Sequence, residues 1–262
     1  MRTNRLKKKL LEGKPAVGCS VMIPSPELVE MLAAIGFDWV LIDCEHGAMS
    51  METVENMVRA AEAFGITPIG RPRRNDPSDI MMLMNRGVMG VQVPYVDSAE
   101  QAERAVSAVK FGAGTARGLA VGTRPHGYGF IGSQEAFTRL SNRETMVIVQ
   151  IETGEAVANI DEILQVPDID VFFVGPSDLA QSMGCIGNPQ EPRVVKAIAT
   201  AIAAIRKRGK IAGMPCGMDN VKTVVNSGVR YLHAHLPWII GYGGKAFLNK
   251  VDACDNSRKA LI

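Results

Sequence analysis

The stretch DWVLIDCEHGAMS, residues 38–50, decides how this chain is read. Trp39, Val40, Leu41 and Ile42 are apolar in succession, the pattern of a strand covered on both faces. Asp43, Glu45 and His46 follow within four positions, and then comes Gly47. Charge is expensive to bury without partners. A doubly buried strand that ends in two carboxylates and an imidazole must deliver them to a paired cluster, to a ligand or to the mouth of a site.

Working outward, the same kind of short, continuous, β-branched run recurs at 16–21, 67–71, 90–93, 146–151, 170–175, 210–214 and 229–234. Helical patterns fill the gaps at 26–35, 50–63, 76–86, 98–110, 154–164 and 191–208. Ser50 and Asp76 read as N-caps, and Pro77 suits the first helical position. Strand and helix alternating in this way over one chain predict a single (β/α)8 TIM barrel spanning residues 1–262. A doubly wound sheet is the rival, but no G-x-G-x-x-G follows an early strand. Residues 112–145 break the rhythm. They are rich in Gly and Arg and read as a functional loop with a short helix.

Composition narrows the function classes. The chain has 262 residues, 47% hydrophobic and 21% charged, enough for a sizeable core. A net charge of +2 points to neither nucleic acid nor an anionic membrane. The basic cluster Arg5, Lys7, Lys8 and Lys9 reads as a solvated first helix. No apolar run approaches the roughly 18 residues of a membrane span. Glu12, Gly13 and Lys14 interrupt the amino end before any secretory pattern develops. The five cysteines are odd in number and scattered, with no C-x-x-C, so the expectation is a reducing cytoplasm.

In a barrel the carboxyl ends of the strands carry the chemistry. Asp43, Glu45 and His46 end the second strand and Arg71 the third. Gln150 and Glu152 end MVIVQIE, and Gly175, Pro176, Ser177 and Asp178 follow DVFFV. Taken singly each has an ordinary role: His46 as a paired structural histidine, Glu152 as a cap, Ser177 and Asp178 as first-turn residues, Arg71 as an ion-pair partner of Asp43 or Glu45. Four strands delivering polar groups to one mouth favour a site. Two carboxylates from different strands suit a hard divalent cation, Mg2+ or Mn2+. A helix start at Ser177 offers N–H groups to an anion. Arg71 can stabilise an oxyanion, and His46 can move a proton near neutral pH. Together these groups suit enolisation of a 2-oxo acid.

FDWVLIDCEHG, GRPRRNDP, VPYVDSAEQAERAV, VQIETGEAVANIDEIL and FVGPSDLAQSMG with GNP after it resemble, in order and spacing, the HpcH/HpaI aldolase family, over about residues 15–215. The resemblance implies a class II aldolase that reversibly cleaves a 4-hydroxy-2-oxo acid to pyruvate and an aldehyde, through a pyruvate enolate held on Mg2+, Mn2+ or Co2+. It implies Glu152 and Asp178 as metal ligands, with Gln150, Gly175, Pro176 and Ser177 holding substrate. It implies His46 as base, Arg71 on the enolate, and Asp43 and Glu45 in support. It also implies a homo-oligomer, a hexamer built as a trimer of dimers, with residues 246–262 reaching a neighbour. Relatives often carry an aspartate about fourteen residues after that arginine, where it raises the basicity of the histidine. Here the residue is Asn85, which can hold an imidazole but adds no charge. In place of a glycine-rich turn after the last strand stands LHAHLPWIIGYGG, whose His233 and His235 read as packing or hydrogen-bonding residues of one strand face rather than metal ligands. Residues 112–128, with Arg117, Arg124 and His126, are the candidate aldehyde side. The alternatives are a lyase of malyl- or citramalyl-CoA type and a catalytically weak barrel kept for binding.

Overall fold

The computed structural model describes residues 2–254. Eight parallel strands close a barrel in chain order: β1 (Ala16–Val21), β2 (Trp39–Asp43), β3 (Thr67–Arg71), β4 (Gly90–Val93), β5 (Met146–Ile151), β6 (Val171–Val174), β7 (Ile211–Pro215) and β8 (Tyr231–His235). β8 closes on β1, with Gly18 opposite His233 and Ser20 opposite His235. The chain is a (β/α)8 TIM barrel. The helices are α1 (Arg5–Leu11), α2 (Pro26–Ile35), α3 (Met51–Phe64), α4 (Pro77–Arg86), α5 (Ala99–Val109), α6 (Gln134–Glu144), α7 (Gly154–Ala158), α8 (Ile160–Ile163), α9 (Pro176–Ser182), α10 (Pro192–Lys207), α11 (Val221–Asn226) and α12 (Leu236–Cys254). Side chains of Ser25, Ser50, Asp76 and Ser98 cap the helices that start after them.

The first five strands have the expected bounds. β8 starts two residues later and runs one residue further than expected, because His235 stays in register with Ser20. The helix expected over 154–164 is broken into α7 and α8 at Asn159, whose side-chain amide donates to the Asp97 carbonyl at 2.8 Å. Of residues 246–262, the part up to Cys254 continues α12, and 255–262 lie outside the described residues.

Side chains of a strand alternate in direction, so each strand sends one row into the barrel. Ala16, Trp39, Leu41, Ile69, Met146, Ile148, Val171, Phe173 and Tyr231 fill the lower interior. Leu6 and Leu10 of α1 join them and close the end where the strands begin. Lys7 pairs with Asp170 at 2.9 Å and Lys9 with Asp38 at 2.7 Å. The basic helix is thus a plug held by ion pairs rather than a freely solvated face. The same inward rows turn polar toward the other end: Ser20 on β1, Asp43 on β2, Arg71 on β3, Gln150 on β5, His233 and His235 on β8.

Trp39 lies flat on Tyr231, ring centroids 4.1 Å apart and planes 20° apart. Its other neighbour is Gly18, where any Cβ would fall within the Trp39 ring. A side chain there must move a fully buried indole that has nowhere to go. We expect Gly18→Ala to cost about 3 kcal/mol or more by overpacking, read as a lower urea midpoint. An unchanged midpoint would mean the ring has room to shift.

Candidate active site

Asp43 is wholly buried at the end of β2. Its Oδ1 accepts from the backbone N–H groups of Glu45 (3.0 Å) and His46 (3.3 Å) and from Arg71 Nε (2.9 Å), while Oδ2 accepts from Arg71 Nη2 (2.5 Å). Burial works to raise the Asp43 pKa, but the Arg71 hydrogen bonds and charge outweigh it and hold the carboxyl below its ordinary range. Glu45 Oε2 stands 3.2 Å from Arg71 Nε and 3.7 Å from His46 Nε2. Burial nevertheless raises the Glu45 pKa, with Asp43 and Asp178 adding to it against Arg71 and His46. The His46 side chain is 56% exposed and faces the opening. Arg71 Nη1 makes no hydrogen bond among the described residues.

Across the barrel, Glu152 follows β5 and is 2% exposed. Its Oε1 accepts from the Tyr95 N–H at 2.8 Å and its Oε2 from Gln150 Nε2 at 2.6 Å. A polar chain leads up to it from the core. Tyr231 Oη donates to Gln92 Oε1 (3.1 Å), Gln92 Nε2 to Gln150 Oε1 (2.6 Å), and Gln150 to Glu152. Each amide has one sense that satisfies both neighbours, so the chain fixes how Glu152 is presented. Gly175 leaves the space this needs, since a Cβ there would stand 2.9 Å from Glu152 Oε2. Burial, with the charges of Asp178 and Glu45, pushes the Glu152 pKa up to about 7 against the Tyr95 and Gln150 hydrogen bonds.

The donor set fits a divalent cation. Glu152 is a buried carboxylate crowded by Asp178 and Glu45, and Arg71, the cation beside them, is already shared between Asp43 and Glu45. Among the described residues no group of three or more His, Cys, Asp or Glu forms a metal cluster. Glu152 and Asp178 could hold such an ion with the remaining positions left to substrate and water. Pro176 and Asp178 are half-buried and Ser177 is exposed at the start of α9.

Several expected residues fall elsewhere. Asn85 lies in the last turn of α4, beside Arg86. Helices of this barrel descend from the mouth, so their last turns stand at the end where strands begin. Within one chain, therefore, Asn85 and His46 are at opposite ends, and the expected histidine–asparagine pair is not formed. The 112–128 segment is at that lower end too. Arg124 pairs with Glu62 near the end of α3 and reaches the Arg86 carbonyl. Arg117 is buried over the Phe111 ring at 3.8 Å and donates to the Val109 carbonyl and Ser141 Oγ. His126 Nδ1 donates to the Val121 carbonyl at 3.1 Å, and its ring stacks on Phe137. Within one chain these three residues hold the barrel base and do not line its mouth. Three residues that support the site escaped the sequence reading. Ser20 bonds His235, Gln92 links the polar chain, and Tyr95, at φ 51°, turns its N–H onto Glu152. For Tyr95 the signal was the V-P-Y at the end of β4.

The family model described as HpcH/HpaI aldolase/citrate lyase matches residues 17–249. A pyruvate aldolase of Rhizobium etli is 36% identical over 211 residues, 80% of this chain and 82% of the relative. A 4-hydroxy-2-oxo-heptane-1,7-dioate aldolase of Escherichia coli is 37% identical over 212 residues, 80% of each chain. The crystal structure of a protein of the same family from Burkholderia cenocepacia superposes with a TM-score of 0.88 at 27% identity, covering 95% of this chain and 99% of that one.

The raised Glu152 pKa has a measurable consequence. The folded chain holds a proton to about pH 7 that the unfolded chain releases near 4.5. This contribution to stability is complete below about pH 4.5 and is lost as pH rises through about 7. In chelator, stability should fall between about pH 5 and pH 8, by up to about 3 kcal/mol from this group. Urea midpoints for Glu152→Gln should vary less over that range. A slope unaltered by the substitution would place the proton on another group.

Proposed function

The chain belongs to the HpcH/HpaI aldolase/citrate lyase family, and from that premise we propose that it is a class II pyruvate aldolase, cleaving a 4-hydroxy-2-oxo acid reversibly to pyruvate and an aldehyde. The observation that carries this reading is the crowding of Glu152 by Asp178 and Glu45 beside an arginine held in a fixed fork. Glu152 and Asp178 would hold Mg2+, Mn2+ or Co2+, which when bound supplies a Lewis acid for the oxygens of a 2-oxo acid.

The chain's own groups account for the rest. His46 takes the proton of the substrate's 4-hydroxyl, the bond between C3 and C4 breaks, and the electron pair runs to the C2 oxygen while the aldehyde leaves. Arg71 Nη1 donates to the oxygen that gains charge, and Asp43 and Glu45 keep the guanidinium from turning away. Proton return to C3 gives pyruvate. Ser177 Oγ and the first-turn N–H groups of α9 would take the substrate carboxylate. Gln150 acts through Glu152, because its amide is engaged on both sides. Gly175 and Pro176 shape the turn that leads to Asp178. We further propose a homo-oligomer. Trp238, Ile240, Tyr242, Phe247 and Leu248 leave an apolar surface exposed along α12, and light scattering should give a species larger than 28.2 kDa. No described helix is long and apolar enough to cross a membrane.

Retro-aldol assays across 4-hydroxy-2-oxo acids should release pyruvate, stop in excess chelator and recover with Mg2+, Mn2+ or Co2+. Full turnover in chelator would sink the class II reading. Arg71→Ala should lower kcat by about 10²–10³-fold with a smaller change in KM, since the charge it meets develops in the transition state. An unchanged kcat would leave Arg71 a structural partner of Asp43.

A further inference from the structure

His233 and His235 point into the barrel from β8, on the same row as Tyr231. Their ring centroids are 4.7 Å apart. His233 is 2% exposed, and neither of its ring nitrogens has a hydrogen-bond partner among the described residues. A buried polar group left in that state is costly, so it calls for an explanation. His235 sits one step nearer the opening. Its Nδ1 is 3.0 Å from Ser20 Oγ on β1, and the Trp238 ring packs against its face at 4.4 Å. Its Nε2 makes no hydrogen bond among the described residues, and it is not sealed from solvent as the His233 nitrogens are. In an eight-strand ring β1 stands opposite β5, so this flank faces Glu152 across the mouth.

From this geometry we infer that Ser20 and His235, backed by His233, form the subsite for the aldehyde half of the substrate, and that it recognises a hydroxyl on the carbon next to the aldehyde carbonyl. The inference rests on the aldolase reading and deepens it. Burial and the nearby Arg71 charge keep both imidazoles in their neutral form, His233 most strongly. A neutral imidazole and a serine hydroxyl each give or take one hydrogen bond, and a substrate hydroxyl can answer either tautomer. A second carboxylate is a poorer match. The remaining Nη1 of Arg71 serves the 2-oxo acid half of the substrate, and Met22, Ile23, Cys216 and Gly217, which follow the neighbouring strands, bring no charge. A plain alkyl aldehyde would leave the polar groups unanswered, and a site built around a hydroxyl discriminates against such analogues far more than an apolar one does.

The test compares glycolaldehyde with acetaldehyde as acceptors for pyruvate, using the full chain with a divalent cation. In the addition, C3 of pyruvate loses a proton and bonds the aldehyde carbon, while the aldehyde oxygen gains a proton. The reading is the ratio of the two kcat/KM values, and comparing it between variants cancels the intrinsic reactivity of the aldehydes. Wild type should favour glycolaldehyde, and both His235→Phe and Ser20→Ala should lower the ratio by about tenfold, the worth of one hydrogen bond. Succinic semialdehyde should be a poorer acceptor than glycolaldehyde. Exchange of the pyruvate methyl hydrogens in D2O without any aldehyde tests the underlying aldolase reading separately. If exchange is absent in wild type, that reading fails and takes the subsite with it. If exchange proceeds but neither substitution moves the ratio, or a carboxylate-bearing aldehyde is preferred, the subsite alone is overturned. Ser20→Ala removes a single oxygen and decides the matter if the phenylalanine variant does not fold.

Discussion

Asp43 receives three donors on one oxygen and a fourth on the other, and the β2–β3 side of the mouth hangs from it. The backbone N–H groups of Glu45 and His46 end β2 on its carboxylate, while Arg71 fixes β3 to the same group. A buried pair of this kind contributes little net stability compared with apolar residues of equal size, but losing one partner strands the other charge, at a cost of about 3–5 kcal/mol. The arrangement is therefore best understood as one of position. A single carboxylate sets the height of the arginine, the turn of the loop and the place from which the histidine starts.

The opposite wall is built by a different device. Glu152 has no cation of its own and is aimed by amides instead. Tyr231, Gln92 and Gln150 form a directional relay that begins in the packed interior and ends on its carboxylate. One wall is thus preorganised by charge and the other by neutral hydrogen bonds. The difference leaves the second carboxylate hydrogen-bonded but paired with no cation among the described residues, a state that the proposed divalent ion would answer. The inward rows make the change from core to site gradual. Trp39, Leu41, Asp43 on β2 and Tyr231, His233, His235 on β8 climb from apolar to polar in steps of two residues.

How much of this was legible in the sequence follows from what a strand pattern encodes. Continuous apolar runs gave both the strands and the barrel, since strands covered on both faces by intervening helices leave few other architectures. The carboxyl-end residues Asp43, Arg71, Gln150, Glu152 and Asp178 could be found because strand direction fixes which end of each run is the mouth. The height of Asn85 was not legible for the complementary reason. Its distance from Arg71 along the chain says nothing of height, and a residue closing a helix has already travelled back to the base. Composition marked residues 112–145 as a Gly- and Arg-rich loop with a short helix, but it could not tell that within one chain Arg117 and Arg124 satisfy carbonyls and Glu62 around the barrel base. Ser20 and Gln92 carried no signal at all, because one polar residue within a strand does not reveal which neighbour it will meet.

The Trp39–Tyr231 stack has a bearing on how the chain comes to be folded. It joins β2 to β8 across Gly18 of β1, so it can form only when the two ends of the sheet have met. Contacts of such long sequence separation are slow to make, because the loop entropy is lost before any contact is gained. The chain has two tryptophans. Trp39 is sealed in this seam, whereas Trp238 is half exposed beside His235. Their fluorescence therefore divides by origin: the buried indole reports the moment of barrel closure, and the outer one reports events at the mouth afterwards.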